Sequence, residues 1–134
     1  GTGLGLAIGA KLAAPDKVCV NIMGDAAFGM TGLDFETAVR SDLPIITIVL
    51  NNSTMAVETS AMVLSHRLHR TRDLGGNYAD IARSLGGWSE RVTEPADISN
   101  ALLRARQATE GGSAALLEFV TNEETDYSNR RPFG

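Results

Sequence analysis

Cysteine is all but missing from this 134-residue chain, which carries Cys19 and no other. One thiol excludes an internal disulfide framework and suits a reducing compartment, so a cytoplasmic location is expected. Positive charge is also short. Lys and Arg total 12 against 16 Asp and Glu, for a net charge of −4. Nothing there neutralises a run of phosphates, which argues against a general nucleic-acid partner. No apolar run reaches the roughly 18 residues of a membrane span, and no basic leader is present, so neither a membrane partner nor a signal peptide is expected. Internal repeats and low-complexity runs are lacking. The chain starts Gly1-Thr2-Gly3 rather than with Met and reads at once as the middle of a fold, so a fragment of a longer polypeptide is expected.

What is there is the balance of an ordinary globular domain, 43% apolar and 21% charged. The length suits one domain with a real core. Gly1 to Ala14 is small and apolar, and its glycines at 5 and 9 predict a buried, tightly packed helix. Val18 to Met23 reads as a buried strand and Gly24 to Gly29 as a loop. Thr31-Gly32-Leu33-Asp34 has the form of a capping box, opening a helix through Phe35, Ala38 and Val39 with Glu36 and Arg40 paired. Ile45 to Leu50 is a near-continuous apolar strand of the kind covered on both faces. Residues 53 to 76 lose periodicity. A short helix over Asn77–Leu85, a strand over Trp88–Thr93, a helix from Glu94 to about Thr109 and a last strand over Ala114–Val120 follow. The later helix is read with Ile98, Leu102, Leu103 and Ala105 on its apolar side. The alternation predicts a three-layer α/β domain, a mostly parallel sheet with helices on both faces.

In such sheets ligands bind beyond the carboxyl ends of the strands. Two predicted strands end in unusual chemistry, one at Gly24-Asp25-Ala26 and the other at Asn51-Asn52, with 24 residues between Ala26 and Asn51. That length accommodates a crossover that returns Asn52 to the edge holding Asp25. Gly24 lets a ligand approach the backbone, and the N–H groups that follow point at an anion. Asp25 offers a charged oxygen and Asn52 a neutral one. Few, hard oxygen donors suit Mg2+ or Ca2+ completed by phosphate oxygens, and no Cys or His lies close enough in the pattern to argue for zinc. The residues therefore read as a diphosphate held through a divalent cation.

Gly24-Asp25-Ala26, the spacer and Asn51-Asn52 resemble the thiamin-diphosphate motif, Gly-Asp-Gly followed by Asn-Asn. Gly3 to Lys11, the Phe28-Gly29-Met30-Thr31 turn and Asp42-Leu43-Pro44 resemble the C-terminal, diphosphate-binding domain of acetolactate-synthase-like enzymes. The resemblance covers residues 1 to 121 as that domain and leaves 122 to 134 as a polar tail. It implies thiamin diphosphate and Mg2+ as cofactors, with Asp25, Asn52 and the backbone carbonyl of Thr54 as metal ligands. Gly24, Ala26 and Ala27 would line the diphosphate, the two alanines through backbone N–H groups. Ala26 stands where the family usually has Gly, and Ala27 where Ser is frequent. Glu58 falls where some decarboxylases of the family carry an active-site Glu. The implied function is decarboxylation or carboligation of a small 2-oxo acid. The implied partner is the pyrimidine-binding domain of another subunit in a homodimer or homotetramer. That domain supplies an activating Glu that no residue here matches, so the domain alone would be inactive. A non-catalytic cofactor-binding or regulatory module of the same fold, or a related oxalyl-CoA or benzoylformate type decarboxylase, are the alternatives.

Plainer readings stand beside these. Asp25 and Asn52, taken singly, suit caps and turns. The spacing Gly1-x-Gly3-x-Gly5 lacks the preceding strand of a dinucleotide fingerprint. The run His66-Arg67-Leu68-His69-Arg70-Thr71-Arg72 reads as a solvated loop, or by resemblance as a mobile cover for the site. Cys19, Tyr78 and Trp88 read as packing residues, and Glu58 as a surface acid.

Overall fold

The computed structural model describes residues 1–124. Four strands form one sheet in the order β1-β2-β4-β3, where β1 is Val20–Gly24, β2 Ile46–Asn51, β3 Trp88–Val92 and β4 Ala115–Val120. Every pairing is parallel. The central strands β2 and β4 are the most apolar stretches and are buried along nearly their whole length, as a sheet covered on both faces requires. β1, at the edge, alternates between exposed and buried positions.

One face of the sheet carries α1 (Gly3–Ala13), α2 (Asp25–Thr31), α3 (Asp34–Arg40) and α5 (Tyr78–Ser84). Its core joins Leu4, Phe28, Phe35, Ala38, Tyr78 and Ala82 to Met23, Val49 and Leu116 of the strands. The other face carries α6 (Ile98–Glu110), whose Ala101 and Ala105 lie on Ile46, Ile48, Leu117 and Phe119. The expected three-layer α/β sandwich is therefore the observed one. The remaining helix, α4 (Val63–His69), buries none of its side chains.

Several local expectations are corrected. Residues 24–29 are not a loop: α2 begins at Asp25, directly after β1, because Ala26 and Ala27 favour helix and Asp25 lies in the first turn. Thr31 is still inside α2, so it cannot cap α3; its hydroxyl donates to the Gly1 carbonyl at 2.8 Å, and the cap position, Leu33, makes no side-chain bond. α1 is not buried all round. Gly5 and Gly9 are exposed, and the close approach is at Gly3, where a Cβ would lie 2.3 Å from Asn21 Oδ1. β1 starts two residues later than expected, leaving Cys19 half-buried just before it. α6 presents Ile98, Ala101, Ala105 and Ala108 to the sheet, and Leu103 faces solvent. Small alanines let that helix sit close, which a leucine stripe would prevent. The unperiodic stretch holds α4 and a 3-10 turn at Ala56–Glu58.

Other readings hold. The Glu36–Arg40 pair forms at 2.9 Å. Asn77 caps α5 by accepting from the Asp80 N–H. Trp88 packs half-buried against the α6 side. Among the described residues no helix is long and apolar enough to cross a membrane. Of the polar tail, residues 125–134 lie outside the described residues.

Phe35 has no exposed surface and is the largest fully buried side chain. Phe35→Ala is expected to lower unfolding free energy by about 3–5 kcal/mol through lost burial and the cavity left behind. Urea denaturation measures this, and a loss below about 1 kcal/mol would show that the α3 side of the core is not where stability resides.

Candidate functional site

β1 and β2 run side by side in register, with Gly24 opposite Leu50. Their carboxyl ends therefore open onto the same edge, and the residues immediately beyond them meet. Asp25 is 3% exposed. Its Oδ1 accepts the Ala26 N–H at 2.8 Å and its Oδ2 the Ser53 N–H at 2.7 Å. The expected convergence of Asp25 with the Asn51-Asn52 turn is thus made by direct hydrogen bonding.

Beyond β2 the chain turns sharply. Ser53 has φ +57°, in the left-handed region that costs a residue with a Cβ about 1–2 kcal/mol. Its N–H and hydroxyl both donate to Asn51 Oδ1 at 3.0 Å, which holds it there. Asn52 Oδ1 accepts the Thr54 N–H at 3.2 Å. Thr54 pairs with Asp73, through bonds from Met55 N–H to the Arg72 carbonyl and from Leu74 N–H to the Ser53 carbonyl. No hydrogen bond among the described residues ends on the Thr54 carbonyl oxygen.

A cavity of about 340 Å³ occupies this edge, lined by Gly24, Asp25, Ala26, Ala27, Leu50, Asn52, Thr54, Met55, Ala56, Val57 and Glu58. That is the lower end of the range for small-molecule sites. Gly24, Asp25, Ala26, Ala27, Asn52, Thr54 and Glu58, all singled out in the sequence, line this one cavity. Glu58 enters it from the 3-10 turn at Ala56–Glu58.

Three features fit a cation and a diphosphate. Asp25 is a buried carboxylate with no basic side chain in salt-bridge reach among the described residues. Its two hydrogen bonds come from backbone N–H groups, which leaves the charge available to a cation. A Cβ on Gly24 would meet nothing within 4 Å, so the glycine leaves open space at the cavity wall. The donor set is one carboxylate with neutral amide and carbonyl oxygens, hard ligands suited to Mg2+. Among the described residues no group of three or more His, Cys, Asp and Glu is placed to hold a metal ion, so a cation here would draw on amide and backbone oxygens as well.

The match to known proteins follows the same outline. Residues 1–119 match the family model described as thiamine pyrophosphate enzyme, C-terminal TPP binding domain. The chain belongs to that family. It is 33% identical over 132 residues to a probable acetolactate synthase of Mycobacterium bovis, covering 97% of this chain and 24% of that protein. It is 32% identical over 133 residues to a sulfoacetaldehyde acetyltransferase of Alcaligenes xylosoxydans xylosoxydans, covering 94% of this chain and 22% of the relative. A thiamine diphosphate-dependent 4-hydroxybenzoylformate decarboxylase of Rhodococcus jostii RHA1 superposes with a TM-score of 0.77 at 25% identity, over 92% of this chain and 23% of its own. The chain thus spans about a quarter of the length of these relatives of the thiamine pyrophosphate family.

Three residues of the edge, Ser53, Tyr78 and Glu118, were not legible as site residues, and Asn51 was named in the motif without a role. Asn51 is 2% exposed and joins Ser53 to Glu118; Glu118 has no exposed surface. Glu118 did leave a signal, as the one charge inside the apolar run Ala114–Val120, since buried charges need partners. Ser53 left none, because its importance lies in its backbone angle. Tyr78 does pack, edge-on to Phe28 with centroids 5.5 Å apart, but it also lies close enough to Asp25 and Glu118 to feel both charges. In the basic run, Arg67, His69 and Arg70 are exposed while Arg72 turns inward. Its Nη1 donates to Thr59 Oγ1 at 2.6 Å and meets Glu123 at 3.0 Å, fastening the 53–76 segment to the chain after β4.

Burial first, then the Asp25 and Glu118 carboxylates, push the Tyr78 phenol above its ordinary value of 10.0. A raised folded value means the protonated phenol favours the folded state. That stability is complete below pH 10 and is lost as pH climbs through the folded value. Titration by tyrosinate absorbance should show a phenol ionising above 10 that vanishes in Tyr78→Phe. A Tyr78 that titrates at or below 10 contradicts this placement.

Proposed function

We propose that this domain holds the diphosphate of thiamin diphosphate through Mg2+, as part of an acetolactate-synthase-like enzyme that decarboxylates or ligates a small 2-oxo acid. The observation that carries the reading is the buried Asp25 carboxylate, without an ion-pair partner among the described residues, lining one cavity with Asn52 and Thr54. Asp25 Oδ1 or Oδ2, the Asn52 amide oxygen and the Thr54 carbonyl would ligate the metal. The Ala27 N–H, in the first turn of α2, would donate to the diphosphate, and the Ala26 N–H would join it by releasing Asp25 Oδ1. Leu50, Met55 and Val57 give the cavity apolar walls. Glu58, which lines the same cavity, would hold or move a proton.

Bound thiamin diphosphate would supply the carbon nucleophile and the electron sink that 2-oxo acid decarboxylation needs. This chain's own residues anchor, orient and shield it. The pyrimidine end would be met by a pyrimidine-binding domain of a partner subunit, in a homodimer or homotetramer. Met30 at 68% and Leu33 at 74% exposure, beside a second cavity of about 290 Å³ walled by Phe28, Tyr78 and Ile81, support such a contact. The half-buried single thiol of Cys19 suits a cytoplasmic setting.

Calorimetry on the full-length protein tests the site. Thiamin diphosphate should bind with Mg2+ present and be lost on chelation, and Asp25→Ala should weaken Mg2+-dependent binding by at least about 100-fold. Binding that is indifferent to Mg2+ or to Asp25 would sink the reading.

A further inference from the structure

Glu118 is a full negative charge with no exposed surface, in the middle of the sheet, and the site described above does not account for it. Both of its oxygens are engaged. Oε1 accepts Asn51 Nδ2 at 2.7 Å, and Oε2 accepts the Ala79 N–H at the start of α5 at 2.9 Å. Arg91 on β3 approaches at 3.5 Å. Four separate elements therefore meet on one carboxylate.

An ionised carboxylate only accepts hydrogen bonds. It therefore dictates which way the Asn51 amide points: Nδ2 must face Glu118, and Oδ1 must face away. Oδ1 then receives the N–H and the hydroxyl of Ser53. With the amide reversed, an N–H would confront the Ser53 N–H and an oxygen would confront the carboxylate. The same Ser53 N–H is shared with Asp25 Oδ2, so the relay from Glu118 ends on the carboxylate of the proposed metal site. Ser53 in turn sits between Asn52 and Thr54, and its left-handed φ of +57° aims the two flanking oxygens.

We infer that Glu118 is a positioning residue for the divalent cation, acting through Asn51 and Ser53 to hold the 52–54 turn against Asp25. The inference rests on the metal-site reading proposed above. Glu118 touches neither cation nor cofactor; its charge selects the amide orientation on which the turn depends. Groups that orient metal ligands in this way commonly set affinity by about 10–100-fold.

The test is Mg2+ affinity of the full-length protein in the presence of thiamin diphosphate, measured by calorimetry, with circular dichroism confirming that each variant is folded. Glu118→Gln puts an amide donor opposite either Asn51 Nδ2 or the Ala79 N–H and should weaken Mg2+ about 10–100-fold. The double variant Glu118→Gln, Asn51→Asp exchanges donor and acceptor across the pair and restores an oxygen toward Ser53, so affinity should return to within a few-fold of the parent. Weakened Mg2+ binding in a Glu118→Gln protein whose circular dichroism matches the parent separates positioning from a general structural loss. A folded Glu118→Gln with parental affinity, or a folded double variant no better than the single one, overturns the inference. Should Glu118→Gln not fold, Asn51→Ala cuts the relay at its middle: weakened Mg2+ binding supports the relay and parental binding overturns it. Parent protein that lacks Mg2+-dependent binding, or keeps it in Asp25→Ala, overturns the metal-site reading itself and this inference with it. That outcome is told apart because it appears before any change at Glu118.

Discussion

The in-register parallel pairing of β1 with β2 is the constraint on which the functional edge depends. Parallel strands put all their carboxyl ends on one side, so the first residue after β1 and the turn after β2 must meet. The meeting is secured by one short bond, from the Ser53 N–H to Asp25 Oδ2 at 2.7 Å. An apolar residue at 25 would leave that amide with Asn51 alone. A strand shifted by one position would turn Asn51, Thr47 and Val49 to the wrong face. The crossover between the strands, α2 and α3, is anchored by Phe28 and Phe35 in the same core as Met23 and Val49. Packing on one face of the sheet thereby fixes the geometry at its edge.

The two faces are covered unequally. Four helices lie on one side and α6 alone on the other, where it reaches β2, β3 and β4. Val20 and Ile22 of β1 stand 51% and 64% exposed on the α6 side. The chain spans about a quarter of its relatives' length.

Polar groups inside the sheet follow a strict economy. Asn51 and Glu118 lie within the hydrophobic layers, and the Asn51 Nδ2 and Oδ1 atoms and both Glu118 oxygens have named partners. Asp25 is the exception, a carboxylate satisfied by two backbone amides yet unmatched in charge. The two buried acids thus differ in that Glu118 has Arg91 within ion-pair reach while Asp25 has no such partner among the described residues.

The parallel three-layer class and the meeting of the two strand ends were legible in the sequence. Continuous apolar strands, the Gly24-Asp25 and Asn51-Asn52 strand ends and the spacing between them are local signals that survive without tertiary context. Local boundaries were less so. Thr31 has the residues of a cap but is consumed by α2, and the leucines of α6 look like a core stripe until Ala101 and Ala105 take the close contact. Such choices depend on how near two elements come, which no single segment encodes. By itself the sequence determined which oxygens the edge offers and that two strand ends would share it. Only the tertiary structure decided that Glu118, 67 residues from Asn51, orients that edge, because a hydrogen bond between distant strands exists only once their register is set.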